Sequence, residues 1–402
     1  MSSVSLTRLA QAAGARDLNH FLEEIWQRSP RCLRGVSQDF SEVIGPEALF
    51  ELAADPAVES RLVVEGEDGH LRLTRGPIDA ARRRELPPRG WTLLVQDVDK
   101  HLRAASELLR PFSALPRWRL DDLMISYAVP GGSVGPHTDS YDVFLFQALG
   151  ARRWELASAP GSGRCERCEL TVLSDFQAEQ RFDLAPGDCL YLPPGVAHHG
   201  VALEPCMTFS VGFRAASVEE LLSALLGDLC ASWLARAAES AAYRDAERAL
   251  PAHPGELGSA ARRHYALELE RLLSGAPEAL RGMVDRALLR QLTEPKETQP
   301  LPEPGERAPL LPALAAGRRL CQHHATRWLF LSEAGDVERV WLAVDGELTE
   351  LSPSDRRFAA LLCDAPELPS AELLEQLRDP ERGVARLALV EAWLESGQLT
   401  WC

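Results

Sequence analysis

The twelve residues from Gly187 to His198 read GDCLYLPPGVAH. The apolar run Cys189–Leu192 leads into the turn residues Pro193-Pro194-Gly195, and the chain then continues to His198. Apolar residues bounded by proline and glycine are typical of a strand, a tight turn and a returning strand. The returning strand would carry His198 into the interior of a β-structure.

A second motif, Gly135-Pro136-His137-Thr138-Asp139, lies upstream. Side chains alternate along an extended segment, so His137 and Asp139 point to one face. With His198 they form a 2-His-1-carboxylate set, which holds iron(II) and leaves coordination positions open. An isolated H-x-D is more often a hydrogen-bonded pair near a turn. The two motifs in this order favour a metal site instead.

The segment 187–198 matches the second cupin motif, G-x5-P-x-G-x2-H, although Ala202 stands where that motif usually has asparagine. His198 and His199 compete for the third ligand position. Neighbouring strand residues face opposite sides, so only one of them can enter the site. The motif register selects His198. We assign His199 to solvent or to a contact with residues that support the metal ligands.

A cation follows the first motif in Gly150-Ala151-Arg152-Arg153-Trp154. A 2-oxoglutarate cosubstrate needs a positive charge for its far carboxylate, and arginine binds carboxylates through two parallel hydrogen bonds. We predict that Arg152 has this role and that Arg153 faces outward. Ser126 and Thr208, on neighbouring strands, would complete the carboxylate site, although a locally satisfied strand hydroxyl is an equally good interpretation of each.

Several stretches resemble the bacterial ribosomal oxygenases, which are JmjC-type enzymes: residues 121–127, 130–144, 193–198 and 209–214. The resemblance implies an iron(II)- and 2-oxoglutarate-dependent oxygenase that uses dioxygen. It further implies hydroxylation of an arginine in large-subunit ribosomal protein number sixteen, a basic partner. The specific motifs cover about Asp121 to Arg214, and the rest of the chain matches only in layout.

A guanidinium substrate requires a carboxylate and flat or apolar packing. Asp122 and Met124 share a strand face, and Tyr141 lies four residues beyond His137. We assign these three residues and Ser210 to the substrate site. Core packing of Met124 and a turn or cap role for Asp122 are the competing interpretations. Histidine hydroxylation of a ribosomal protein and a non-catalytic cupin-like scaffold remain the alternative functions, with histone-type demethylation disfavoured.

The predicted fold class is α+β, in three regions. Residues 1–215 would form a double-stranded β-helix, the JmjC/cupin barrel. Residues 216–297 carry leucines at helical spacing, and the resemblance implies that they mediate homodimerisation. A Pro- and Glu-rich linker leads to residues 306–402, predicted as a winged-helix-like module.

Charge and cysteine usage limit the possible partners. The net charge is −16, which disfavours general binding to nucleic acid or anionic membranes. No apolar run is long enough for a membrane span. The 9 cysteines favour reduced thiols in the cytoplasm over a disulfide framework. Cys165 and Cys168 have zinc-like spacing, but we interpret them as a chance loop pair because no second pair accompanies them.

Overall fold

The computed structural model describes residues 6–36, 40, 43–158, 163, 170–214, 217–223, 225–226, 263, 267, 277–296, 300, 302, 308–333 and 339–402. The chain forms two compact units. The first contains Met1–Ala215, Lys296–Thr326 and Pro366–Cys402, and the second contains Ala216–Pro295 and Arg327–Ala365.

The first unit is built on antiparallel strands. In chain order they are β1 (Arg31–Leu33), β2 (Ser60–Glu65), β3 (Leu71–Arg75), β4 (Trp91–Val95), β5 (Leu120–Ala128), β6 (His137–Thr138), β7 (Asp142–Leu149), β8 (Arg152–Ala157), β9 (Gln180–Leu184), β10 (Cys189–Leu192), β11 (Ala197–Ala202) and β12 (Cys206–Phe213). An eight-stranded sheet has the order β1-β10-β7-β12-β5-β4-β2-β3, and a four-stranded sheet has the order β6-β11-β8-β9. A cavity lined by residues of both sheets lies between them. This is the predicted JmjC/cupin barrel.

The first unit also contains short helices, several of which pack against the outer face of the eight-stranded sheet. They are α1 (Leu6–Ala12), α2 (Leu18–Glu24), α3 (Pro46–Ala53), α4 (Ala80–Arg84), α5 (Val98–His101) and α6 (Arg103–Glu107), with 3-10 turns at Arg110–Ala114 and Arg117–Arg119. Phe21 of α2 and Phe50 of α3 share one buried cluster with Phe144 and Phe209 of the sheet. The main core therefore lies behind the sheet, which leaves the other sheet face free to line the cavity.

Strand alternation separates core residues from cavity residues. In β5, Leu123 and Ile125 belong to the core, whereas Asp122, Met124 and Ser126 line the cavity. Burying every second residue in the core fixes the strand register, because a shift by one residue would exchange the two faces. The predicted facing of Asp122 with Met124 is confirmed.

Beyond residue 215 both units contain regular elements. The helices are α7 (Pro277–Thr293), α8 (Leu310–Ala315), α9 (Arg356–Cys363), α10 (Ser370–Leu377) and α11 (Gly383–Glu395), with a 3-10 turn at Pro353–Asp355. The strands are β13 (Leu320–Gln322), β14 (Trp328–Glu333), β15 (Arg339–Val344), β16 (Glu347–Leu351), β17 (Glu367–Leu368) and β18 (Leu399–Trp401). The region 306–402 contributes to both units, and its winged-helix character stays a prediction.

The stretch from Val340 to Leu348 forms two strands of a hairpin and not one continuous strand. The chain turns at Asp345-Gly346, with φ of 48° and 82°, and Val344 pairs with Glu347 across the turn. Two positive φ angles in a two-residue loop give a hairpin whose twist matches its strands, and Asp-Gly is a preferred sequence for it. The Asp-Gly dipeptide therefore marks this turn in the sequence.

Most of the region 216–297 lies outside the described residues, and so does most of the linker. Helix α7 confirms the predicted helical run near residues 280–292. Homodimerisation through this region stays a prediction. No helix in the described part of the chain is long and apolar enough to cross a membrane.

One expectation about the cysteines needs correction. Cys321 and Cys402 form a disulfide, because β13 pairs with β18 and brings these distant residues together. Cys32, Cys189 and Cys206 are free thiols, as expected. Cys165 and Cys168 lie outside the described residues.

Candidate metal centre and its cavity

The three predicted metal ligands meet at one end of the four-stranded sheet. His137 of β6 pairs directly with His198 of β11, and Asp139 follows β6. The candidate ligand atoms of the three side chains all lie within 4.8 Å of one another. An Asp139 carboxylate oxygen is 3.9 Å from Nε2 of His137, and the other is 3.5 Å from Nε2 of His198. These separations leave room for one cation among two nitrogens and an oxygen.

Local backbone geometry orients both imidazoles in the same way. Nδ1 of His137 lies 2.9 Å from the Gly135 carbonyl, and Nδ1 of His198 lies 3.0 Å from the Val196 carbonyl. A carbonyl only accepts, so each Nδ1 carries the proton and donates it. In the neutral imidazole, Nε2 then has its lone pair available for a metal ion. Gly135 has φ +80° and supports the first turn, as Gly195 does the second.

Burial keeps His198 uncharged. Its side chain is 3% exposed. Desolvation, assisted by the nearby His137, lowers the pKa of His198 to about 4. A neutral imidazole is the form that coordinates a metal.

His199 faces away from the three ligands, as predicted. Its Nδ1 lies 3.6 Å from a carboxylate oxygen of Glu155 on β8. Burial lowers the pKa of His199 as well. The structure therefore places His198, the histidine that the motif register selects, beside His137 and Asp139.

Arg152 is buried beside the predicted hydroxyls. It is 5% exposed and donates hydrogen bonds to Ser126 Oγ at 3.2 Å and Thr208 Oγ1 at 3.3 Å. No carboxylate pairs with it among the residues described, and its Nε is buried without a hydrogen-bond partner. Desolvation lowers the pKa of this guanidinium. A buried cation with unused donors is costly, so the site fits an external carboxylate.

Arg153 points to the opposite face of β8. It forms two hydrogen bonds of 2.7 Å with the carboxylate of Asp183, and both side chains are substantially exposed. Of the two adjacent arginines, Arg152 alone faces the cavity.

The cavity has a volume of about 300 Å³, and both the metal ligands and Arg152 line it. One wall of the cavity is formed by the paired strands β5 and β12, which place their cavity-facing residues in opposite pairs. Ser126 lies opposite Thr208, Met124 opposite Ser210, and Asp122 opposite Gly212. Four residues along a strand span about 13 Å. Arg152 therefore contacts one end of this wall, and Asp122 forms the other.

The predicted substrate residues Asp122, Met124, Tyr141 and Ser210 all line the cavity. Asp122 is buried, and its Oδ2 accepts from Gln96 Nε2 at 2.5 Å and from the Asp97 backbone N–H at 3.3 Å. Burial raises the pKa of Asp122 to about 7, with Lys296 opposing that shift. Gly212 leaves the neighbouring space open, since a Cβ there would lie 3.1 Å from Asp122 Oδ1.

Sequence reasoning missed several cavity residues. Arg61 and Gln96 line the cavity beside Asp122, and no motif marks either of them. Trp154 packs near His198 at 5.9 Å between ring centroids. It needs Gly200 on the adjacent strand, where a Cβ would meet the Trp154 ring at 2.6 Å. The packing role of Gly200 opposite Trp154 follows from the pairing of β11 with β8 and is not marked by any sequence motif.

The chemistry of the side chains fits iron(II) and 2-oxoglutarate. Two neutral nitrogens and one carboxylate are the donor set of non-heme iron oxygenases. The buried Arg152 with its unsatisfied Nε fits the far carboxylate of a dicarboxylic acid. The residues present therefore suit both groups.

Comparison with known proteins agrees with this interpretation. The JmjC domain family matches residues 107–221, and the AraC-like ligand binding domain family matches residues 176–276. The crystal structure of E. coli ycfD superposes with a TM-score of 0.76 at 31% identity, covering 96% of this chain and 98% of that chain. YcfD, a ribosomal oxygenase from E. coli in complex with cobalt and 2-oxoglutarate, gives a TM-score of 0.72 at 31% identity, covering 95% of this chain and 97% of that one.

Curated relatives match over a shorter span. The E. coli ribosomal protein uL16 3-hydroxylase is 44% identical over 204 residues, which cover 50% of this chain and 54% of that protein. A probable ribosomal oxygenase of Haemophilus influenzae is 34% identical over 213 residues, covering 52% of each. The chain thus spans about half the length of these curated relatives in sequence. The structural match to ycfD at 31% identity covers nearly the whole of both chains. Together with these relatives, it shows that the chain belongs to the JmjC-type ribosomal oxygenase family.

Proposed function

We propose that this protein is an iron(II)- and 2-oxoglutarate-dependent oxygenase that hydroxylates an arginine side chain of ribosomal protein uL16. Two observations outside the chain support this: one relative is named a uL16 3-hydroxylase, and a structural relative was solved with cobalt and 2-oxoglutarate. Within the chain, the support is the meeting of the three ligands, Arg152 and Asp122 around one cavity.

The protein's part in the reaction is binding and orientation. His137, Asp139 and His198 would hold the metal, and with 2-oxoglutarate bound the metal supplies the oxidising chemistry that an unactivated C–H bond requires. Arg152, with Ser126 and Thr208, would fix the far carboxylate of the cosubstrate and so set its orientation. Apolar side chains such as Val143, Leu145 and Trp154 also line the cavity, and a less polar environment strengthens these electrostatic contacts.

The observation that favours arginine is the position of Asp122. Its Oδ1 lies beside Gly212, and Met124, Ser210 and Tyr141 line the same cavity. A guanidinium is planar and cationic, so it suits a carboxylate flanked by apolar and aromatic surfaces. The cavity wall provides that combination.

Histidine hydroxylation is the second candidate. A bifunctional lysine-specific demethylase and histidyl-hydroxylase NO66 of Drosophila pseudoobscura pseudoobscura is 28% identical over 218 residues, which cover 48% of this chain and 21% of that protein. A guanidinium carries a full positive charge and can donate two parallel hydrogen bonds to a carboxylate, whereas a neutral imidazole offers one N–H, so Asp122 favours arginine. A non-catalytic scaffold would have no need to retain the ligands together with an unpaired Arg152.

Mass spectrometry of purified uL16 tests the proposal. After incubation with the protein, iron(II), 2-oxoglutarate and dioxygen, uL16 should gain the mass of one oxygen atom on an arginine. Fragmentation that places the oxygen on a histidine would support the second candidate. Asp139→Ala is the matched inactive control. Absence of both metal binding and 2-oxoglutarate turnover would support a scaffold.

The proposed partner is a basic ribosomal protein, which suits a chain of net charge −16. We propose that the protein acts in the cytoplasm, where ribosomal proteins are made, and as a homodimer. We propose no direct nucleic-acid binding for region 306–402, because its sequence has 16 acidic residues against 10 arginines and no lysine. We propose no membrane partner either.

A further inference from the structure

The chain contains only two lysines, Lys100 and Lys296, and both lie against the same group of carboxylates. Lys100 pairs with Asp99 and also donates to the Asp121 carbonyl at 3.2 Å. Nζ of Lys296 lies 2.9 Å from Asp97 Oδ1 and 3.2 Å from Asp121 Oδ1. Lys296 lies far along the chain from these partners, so the tertiary fold brings it there.

This group of carboxylates has more negative than positive charge. Asp97, Asp99 and Asp122 are 0%, 2% and 5% exposed, and Asp121 is the fourth member. Oδ2 of Asp97 is buried without a hydrogen-bond partner. In the described part of the chain, four aspartates thus lie close to two lysines. A cation that enters the cavity would reach this group at Asp122.

The orientation of Asp122 is fixed from the other side. Arg61 can only donate, and its Nη2 lies 2.8 Å from Gln96 Oε1. The Gln96 amide must therefore present its Nε2 to Asp122 Oδ2, at 2.5 Å. A donor at that position favours the carboxylate form of Asp122. Arg61 and Gln96 orient Asp122, but neither adds a formal charge in direct contact with it.

We propose that Lys296, which does not line the cavity, is a positioning residue that keeps Asp122 ionised for recognition of the substrate guanidinium. This inference rests on the proposed function, because it takes Asp122 as the arginine anchor. Lys296 acts through Asp97 and Asp121: it offsets their negative charges, which would otherwise suppress ionisation of Asp122. Asp97 also donates its backbone N–H to Asp122 at 3.3 Å, so the residue that Lys296 contacts is itself bonded to Asp122.

The electrostatics around Asp122 support this role. Asp97, Asp99 and Asp121 raise the pKa of Asp122 together with burial, and Lys296 lowers it. Tyr141 and Asp122 also interact, and Arg61 reaches Asp122 through Gln96. The ionised fraction of Asp122 therefore changes near neutral pH, where the loss of one neighbouring charge has a large effect.

The test is the affinity for purified uL16 as a function of pH, measured without dioxygen in the presence of manganese and 2-oxoglutarate. For the wild type, Kd should rise as the pH falls through the Asp122 pKa of about 7. Lys296→Met should move this midpoint upward. A move of about one unit lowers the ionised fraction at about pH 7.5 from about three quarters to about one quarter, so Kd rises about threefold. At about pH 9 the difference should nearly vanish.

Two further variants separate charge from structure. Lys296→Arg keeps the charge and should restore the wild-type profile. Asp121→Asn removes a negative neighbour and should move the midpoint downward, in the opposite direction to Lys296→Met. This second variant keeps the idea testable if Lys296→Met fails to fold. A purely structural role would lower the melting temperature without a pH-dependent change in Kd.

The possible failures are distinguishable. If Asp122→Asn weakens uL16 binding but Lys296→Met leaves the pH profile unchanged, the inference about Lys296 is wrong and the proposed function stands. If Asp122→Asn binds uL16 as tightly as the wild type, Asp122 is not the anchor, and both ideas fail. In the background of Asp122→Asn, Lys296→Met should have no further effect on the profile, because the group it acts on is gone.

Discussion

Replacing Arg152 by methionine removes the charge but keeps most of the volume. Among the described residues, this buried guanidinium donates hydrogen bonds to the hydroxyls of Ser126 and Thr208. Without a cosubstrate, the protein therefore holds a poorly compensated cation. We expect Arg152→Met to be at least as stable as the wild type in the absence of 2-oxoglutarate, because removing such a charge relieves its desolvation cost.

With 2-oxoglutarate present, the effect reverses. Loss of a charge-assisted, two-bond contact in a buried site costs about 2–5 kcal/mol, which corresponds to a rise in KM for 2-oxoglutarate of about thirtyfold to several thousandfold. At a concentration of about 100 times the wild-type Kd, 2-oxoglutarate should stabilise the wild type by about 2.7 kcal/mol and Arg152→Met by less than about 1 kcal/mol. Metal binding should be unchanged.

Arg153→Met is the matched control. Arg153 lies next in the chain and pairs with Asp183 at the surface, so its loss should leave both the stability and the KM for 2-oxoglutarate close to their wild-type values. Turnover of 2-oxoglutarate and thermal melting with and without the cosubstrate provide both readouts. If Arg153→Met weakened the cosubstrate and Arg152→Met did not, the assignment of the two faces of β8 would be wrong.

The remaining predictions concern the ligands, the wall of the site and the assembly. His137→Ala or Asp139→Ala should abolish iron binding and turnover with the melting temperature retained, and a variant that purified with full iron would refute the ligand assignment. Gly200→Ala should cost about 1–3 kcal/mol of stability by overpacking Trp154, whereas Gly45→Ala, where a Cβ would meet nothing within 4 Å, should cost much less in the same denaturation experiment. Light scattering at micromolar concentration should show a dimer formed through residues 217–292, and a monomer would count against that interface.

Local patterns were sufficient to predict the barrel and the grouping of His137, Asp139 and His198 that the structure shows. The H-x-D pair and the strand-turn-strand segment ending at His198 each specify their own geometry, because alternation along a strand decides which side chains share a face. The same rule distinguished Arg152 from Arg153 and placed Asp122 with Met124. These choices depend only on residues close together in the chain.

Interactions between distant segments were decided by the tertiary structure. Gly200 matters because β11 pairs with β8, which brings it against Trp154. Lys296 contacts Asp97 although the two residues are 199 positions apart in the sequence. The pairing of Cys321 with Cys402 likewise follows from strand pairing. A sequence motif records spacing along the chain, whereas charge compensation and close packing depend on distances in space, which only the folded chain sets.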